Sequence, residues 1–279
     1  MCIYMTINNK NISNKAAVLL KSLYESSQLC FKLSTAYDIL SGSSRTSVKK
    51  LLGDMVKRGL LMRIKDGLYY IIPYEQDSKA FMPDWHLLAG YIVGERNFYI
   101  GYYSALQLHG LTTQALLREQ IVVDKQIKPP VLKIKEIPFQ FIYHNKKHFF
   151  GREKIWIDSY NKQYCSDLEK TIIDCLFKPD YAGGITEISK AIYKAKDIID
   201  FKKLHNYCIR FNSQAVIKRL GFLLELLNID TEIIADLQSI RTDSFVLLEP
   251  SYPKEGKTIF RWAVQQNIDT DSIILPIYS

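Results

Sequence analysis

Several things missing from this chain of 279 residues narrow what it is. No run of about 18 or more apolar residues is present, since even LGFLLELLNI is broken by Glu225, so a membrane-spanning helix is not expected. The N-terminus lacks a charged region followed by an apolar core and a cleavage site, which makes the cytoplasm the expected compartment. The five cysteines, Cys2, Cys30, Cys165, Cys175 and Cys208, are odd in number, widely spaced and never arranged as Cys-x-x-Cys. That argues against a disulfide framework or a zinc knuckle and for core or incidental thiols.

Catalytic signatures are missing too. There is no Gly-x-x-x-x-Gly-Lys-Ser/Thr loop for phosphates, no Gly-x-Ser-x-Gly elbow, and no Gly-Ser followed by Asp-x-Asp. His144 and His148 stand four apart but have no third ligand and no HExxH pattern. Asp167 and Glu169 are explained by a capping box starting at Ser166, and Asp174 falls off the helical face of Glu169. Tyr102, Ser104 and His109 are candidates for a polar site, yet such residues beside an apolar helix are usually satisfied core groups. The expectation is a protein that is not an enzyme and holds neither cofactor nor metal.

What is present begins at residue 34. Ser34 is placed as the N-cap of a short helix through Ala36, Tyr37, Ile39 and Leu40, which Ser41-Gly42-Ser43-Ser44 breaks. A second helix over 45–58 sets Val48, Leu51, Leu52, Met55 and Val56 on one face and Arg45, Thr46, Lys49, Lys50 and Lys57 on the other. Gly59 ends it, and two apolar runs, 60–64 and 68–72, flank Lys65-Asp66-Gly67, a hairpin turn. With a helix over 14–26 before it, this is the layout of a winged helix-turn-helix. A helix entering the major groove reads base edges with its N-terminal side chains, while neighbouring Ser, Thr, Lys and Arg touch phosphates. Ser43, Ser44, Arg45, Thr46, Lys49, Lys50, Arg63 and Lys65 are therefore the candidate DNA-binding residues, Arg45 and Thr46 for bases. Charge agrees: residues 1–79 hold twelve Lys and Arg against six Asp and Glu, a net +6 of the chain's +8.

Residues 73–83 read as a linker, giving expected domains of 1–78 and 79–279. The second is strand-rich to about residue 160, with an antiparallel sheet expected from runs at 97–100, 120–124, 131–137, 139–144 and 154–157. Amphipathic helices near 185–199, 201–211, 213–227 and 231–240 form a helical subdomain over 185–245, and a final strand pair closes the chain. The fold class is α+β. Lysines over 125–154 form a second basic stretch that suits either a wider DNA footprint or a solvated sheet face.

In order, the winged helix, GYYSALQLHGLT, DLEKTIIDCLFKPDYAGGI, KRLGFLLELL and LLEPSYPKEGKTIFRWAV resemble the AbiEi family of antitoxins from type IV abortive-infection toxin-antitoxin systems. The resemblance covers nearly the whole chain. It implies an N-terminal domain that represses its own operon by binding double-stranded promoter DNA. It further implies a C-terminal antitoxin domain that counters a nucleotidyltransferase-like toxin without a stable complex. The alternative from another class is a ligand-responsive winged-helix transcription regulator whose α/β domain senses a small molecule, which should show a thermal shift with its metabolite.

Overall fold

The computed structural model describes residues 12–115 and 117–277, so Cys2 lies outside the described residues. The fold is mixed α+β, and its internal contacts divide the chain into two compact units, Met1–Ile92 and Val93–Ser279.

In the first unit, α1 (Asn14–Glu25) is capped by Ser13, whose hydroxyl accepts from the Ala16 amide at 3.3 Å. It buries Ala16, Leu19, Leu20 and Leu23, one stripe at helical spacing. Val18 is two residues along from Ala16, off that stripe, and is 54% exposed. A short strand that the sequence does not announce, β1 (Cys30–Lys32), precedes α2 (Leu33–Ile39). Ser34 does not cap α2. The helix starts one residue earlier, where the Leu33 amide donates to the Gly67 carbonyl at 2.8 Å, so the hairpin tip satisfies the first turn instead. α3 (Arg45–Lys57) is capped by Ser44, whose hydroxyl accepts from the Ser47 amide at 3.2 Å. Gly59 follows its end at φ +70°, a conformation that favours glycine.

Strands β2 (Leu61–Lys65) and β3 (Leu68–Ile71) pair antiparallel around Asp66-Gly67, and β1 pairs with β3, giving the order β1-β3-β2. Leu19, Leu23, Phe31, Val48, Leu52, Met55, Leu61 and Ile71 make one apolar core between helices and sheet. Burying each such side chain contributes about 1.5–3 kcal/mol, which is how so small a unit holds together. Residues 73–84 carry neither helix nor strand, and α4 (Trp85–Val93) follows.

In the second unit a six-stranded sheet gathers β4 (Phe98–Ile100), β5 (Glu119–Val123), β6 (Val131–Ile134), β7 (Ile137–Tyr143), β8 (Arg152–Trp156) and β9 (Lys162–Ser166) in the order β6-β7-β5-β4-β9-β8. It is mixed rather than antiparallel. The β6/β7 and β8/β9 hairpins are antiparallel, but β6 folds to the outside, so β7 lies parallel to β5, and β9 lies parallel to β4. Strand β9, KQYCS, has too little apolar content to declare itself in the sequence. Between β4 and β5 lies α5 (Tyr102–Leu108).

Helix α6 (Leu168–Phe177) buries every residue from Glu169 to Leu176. Asp167 caps it, accepting from the Lys170 amide at 2.9 Å. The capping box from Ser166 does not form. Ser166 bonds the Thr171 hydroxyl at 2.7 Å, while Glu169 turns away to accept from the Asp200 amide at 3.0 Å and to pair with Lys203 at 2.7 Å. Around α6 pack α7 (Gly184–Ala195), α8 (Phe201–Phe211), α9 (Gln214–Leu226) and α10 (Ile233–Ile240), the expected helical part. Gly221 in α9 is required because the Trp262 ring leaves no space for a Cβ there.

The tail is a three-stranded sheet, not a strand pair. β10 (Val246–Leu247) lies parallel to β12 (Val264–Gln266), which pairs antiparallel with β11 (Lys257–Ile259), and α11 (Thr270–Ile274) follows. The buried Arg219 and Lys218 tie this region in. Arg219 donates to the carbonyls of Leu176 at 2.7 Å and Leu247 at 3.0 Å; Lys218 donates to the Thr242 hydroxyl at 3.0 Å and to Ser244.

Candidate functional site

The eight residues expected to meet DNA fall into two groups. Ser44, Arg45, Thr46, Lys49 and Lys50 are all exposed on α3 or its cap, on the side away from Val48, Leu52 and Met55. Ser44 is occupied as the cap, and Ser43 accepts from the Lys15 amine at 2.9 Å. Arg45 lies with its guanidinium 5.5 Å from the Tyr37 ring centre. Among the described residues no ion pair engages Lys49 or Lys50. The hairpin cations differ. Arg63 pairs with Asp66 across the turn, and the Lys65 amine donates to the Ile92 carbonyl at 2.7 Å. α3 thus presents uncommitted charge, while the hairpin's charge is already engaged within its own unit.

The second unit holds a polar cluster of another kind. Tyr99 on β4, Tyr102 at the start of α5, His144 just after β7, and Lys170 and Asp174 on α6 are all essentially buried. Lys170 and Asp174 form an ion pair at i, i+4, and the Lys170 amine also donates to the Tyr99 hydroxyl at 2.9 Å. Tyr99 in turn donates to Asp174 at 2.9 Å. Its single proton is then spent, so the His144 Nδ1 at 3.2 Å must donate to it, while the Tyr102 hydroxyl donates to His144 Nε2 at 2.7 Å. Each group has a partner only if His144 is neutral. Burial favours the same form, lowering the His144 pKa to about 4, with Lys170 adding to the fall and Asp174 opposing it. Burial also lowers Lys170 and raises both tyrosines well above their usual range.

Local backbone serves this arrangement. Tyr102 sits at φ +53°, a left-handed conformation that costs a bulky residue energy and that its surroundings must enforce. Gly151, at φ +64°, packs so closely on Lys170 that an added Cβ would stand 2.8 Å from the Lys170 side chain, and its carbonyl accepts from the Asp167 amide at 2.9 Å. The cluster is buried, and its hydrogen bonds link β4, α5, the end of β7 and α6.

Sequence reasoning misses this network. Tyr102, Ser104 and His109 do not converge: Ser104 accepts from the Gln120 amide at 2.9 Å, and His109 bonds the Ser166 carbonyl at 2.8 Å. Asp167 and Glu169 meet at the Lys203 amine, at 3.3 and 2.7 Å, and Asp167 also accepts from Tyr207 at 2.8 Å, whereas Asp174 faces Lys170 and stands apart from them. His148 bonds the Phe211 carbonyl at 3.1 Å instead of sharing a ligand with His144. Among the described residues no group of three or more His, Cys, Asp or Glu is placed to hold a metal ion. The signal that was there is Lys170–Asp174, an i, i+4 pair inside a helix with no polar face left to carry it.

The chain is therefore an α+β protein joining a small helix-and-hairpin unit to a larger unit built on a mixed sheet and a helical layer. No family model matches it, and no curated protein does. Three solved chains match. One is the crystal structure of the RV2827C protein from Mycobacterium tuberculosis, with a TM-score of 0.74 over 98% of this chain and 97% of that one, at 11% identity. At that identity the likeness carries the fold alone.

Proposed function

We propose that the first unit is a winged helix-turn-helix that binds double-stranded DNA, with α3 in the major groove and the β2–β3 hairpin as the wing. The observation that supports this best is the division of α3: Val48, Leu52 and Met55 are buried, and Arg45, Thr46, Lys49 and Lys50 stand in solvent at its N-terminal half. Arg45 and Thr46 would address base edges, Lys49 and Lys50 phosphates. Arg63 and Lys65 reach a phosphate only by giving up Asp66 and the Ile92 carbonyl, so their share is smaller. With the resemblance in residues 101–112, 167–185, 218–227 and 247–264, the proposed role is a cytoplasmic antitoxin that represses its own operon. Its second unit would counter a nucleotidyltransferase-like toxin without forming a stable complex, and the chain itself would be no enzyme.

The test is a fluorescence-anisotropy titration of the full chain with DNA from directly upstream of its gene, beside scrambled DNA, at two salt concentrations. Autorepression requires a preference that survives the higher salt, and Arg45→Ala should lose about 1–3 kcal/mol of discrimination at one base pair. Equal binding of both DNAs sinks the operator reading. Failure of the full chain to relieve growth arrest by an adjacent toxin removes the antitoxin role and leaves the DNA-binding one standing.

A further inference from the structure

The outer pair of strands in the six-stranded sheet carries a pattern that the DNA-binding reading does not use. β8 is the edge strand, paired only with β9, in the register Arg152↔Ser166, Lys154↔Tyr164 and Trp156↔Lys162. Because side chains alternate across a strand, Arg152, Lys154, Trp156, Lys162 and Tyr164 share one face. On that face cations and flat rings interleave. The Arg152 guanidinium lies 4.8 Å and the Lys154 amine 5.2 Å from the Tyr164 ring centre, and the Lys162 amine lies 4.2 Å from the Trp156 ring. Arg152 is anchored, donating to the Phe98 carbonyl at 3.1 Å and to Asn97 at 3.2 Å, and Tyr164 beside it is half-buried. Trp156 keeps 61% of its surface in solvent, and Tyr160, in the turn between the two strands, keeps 89%.

Among the described residues of this strand pair no carboxylate shares the face. Glu153 points the other way, opposite Cys165. Asp158, in the turn, is taken up by the amides of Tyr160 and Asn161 and by the Asn161 side chain, at 2.7–3.0 Å, and these bonds hold its pKa below the usual carboxylate value. Lysines on an edge strand discourage pairing with another sheet, but that role asks for no exposed indole beside them. Alternate residues on a strand are about 7 Å apart, comparable to the step of an extended nucleotide. Exposed rings between cations give bases a surface to stack on and phosphates a counter-charge. Duplex DNA keeps its base faces hidden in the stack, whereas unpaired strands, RNA or DNA, offer them.

We propose that the β8–β9 face binds single-stranded nucleic acid, with Trp156 stacking a base and Lys154 and Lys162 neutralising phosphates. This surface belongs to the second unit and does not depend on the DNA-binding reading of α3.

The experiment titrates the full chain with a short single-stranded oligouridine RNA, with the matching oligothymidine DNA to tell the two kinds of strand apart, and, separately, with the duplex DNA used above. Of the three tryptophans, Trp262 is buried and Trp85 is half-buried, so stacking on Trp156 should quench the exposed part of the emission as RNA is added. Labelled RNA read by anisotropy should bind about tenfold more weakly to Trp156→Ala. Lys162→Ala, which keeps the ring, should reduce the salt slope by about 0.7. Duplex DNA should bind both variants as it binds the parent, and Lys49→Ala with Lys50→Ala should leave the RNA affinity unchanged. RNA binding that survives Trp156→Ala, that proceeds without quenching, or that disappears with the α3 lysines overturns the proposal. None of those results touches the operator reading, which is tested by duplex preference.

Discussion

The first unit keeps its core apolar and its cations in solvent, whereas the second buries charge. Among the described residues every buried polar or charged side chain, from Ser104 to Glu249, belongs to the second unit. Among the same residues no ion pair holds Lys49 or Lys50 on α3; Lys170 is sealed against Asp174 and Tyr99, and Lys218 and Arg219 against hydroxyls and backbone carbonyls. The difference separates two uses of the same side chains. A solvated cation costs little and is available to a partner, while a buried one must be matched atom for atom or it destabilises the fold. The cations of the first unit's α3 are thus left to solvent, whereas the buried cations of the second are a statement about its own architecture.

The largest effect that tests this contrast comes from Lys170. Lys170→Met leaves Asp174 buried without its cation and should cost the second unit about 3–5 kcal/mol, measured by equilibrium denaturation followed through the buried Trp262. Lys170→Met combined with Asp174→Leu removes both charges and should recover much of that loss. A single variant as stable as the parent would mean that the pair does not hold the sheet to α6.

A smaller effect follows from pH. His144 has its pKa lowered to about 4 by burial, so the unfolded chain, with an ordinary histidine near 6.5, binds the proton more readily. Its contribution is complete above about pH 6.5 and is lost as pH falls from there towards 4, up to roughly 3 kcal/mol. His148, lowered mainly by burial, acts in the same sense. Denaturation at a series of pH values should show stability falling over that window, with a shallower slope in His144→Asn. Equal slopes would place the pH dependence elsewhere.

This contrast also explains what could be foreseen. Periodicity finds α1, α3 and the hairpin because in the first unit burial follows hydrophobicity: Leu19, Leu23, Leu52 and Met55 are where a helical stripe puts them. It fails at β1 and β9, three and five residues long, whose place is set by pairing with β3, β4 and β8 and not by their own composition. It fails again at the buried cluster, because Tyr99, His144 and Lys170 are far apart in sequence and meet only through the β4–β9 and β5–β7 pairings. Antiparallel pairing is the natural expectation for the same reason, since neighbouring strands in sequence suggest hairpins and say nothing of the parallel pairings between them. The α3 face is legible because it is local; the β8–β9 face is not, because its register has to be known first.

The smallest effect on stability should be the most informative about the first unit. Lys49→Ala with Lys50→Ala removes two solvated cations from α3, and alanine favours a helix, so denaturation should shift by no more than about 0.5 kcal/mol. If these lysines neutralise phosphates, the slope of log K against log salt for duplex binding should fall by about 0.9 for each phosphate left without its cation, with operator preference kept. A matched Arg63→Ala should change the slope less, because its guanidinium is already engaged by Asp66. A larger change at Arg63 than at α3 would assign the phosphates to the hairpin and reverse the docking.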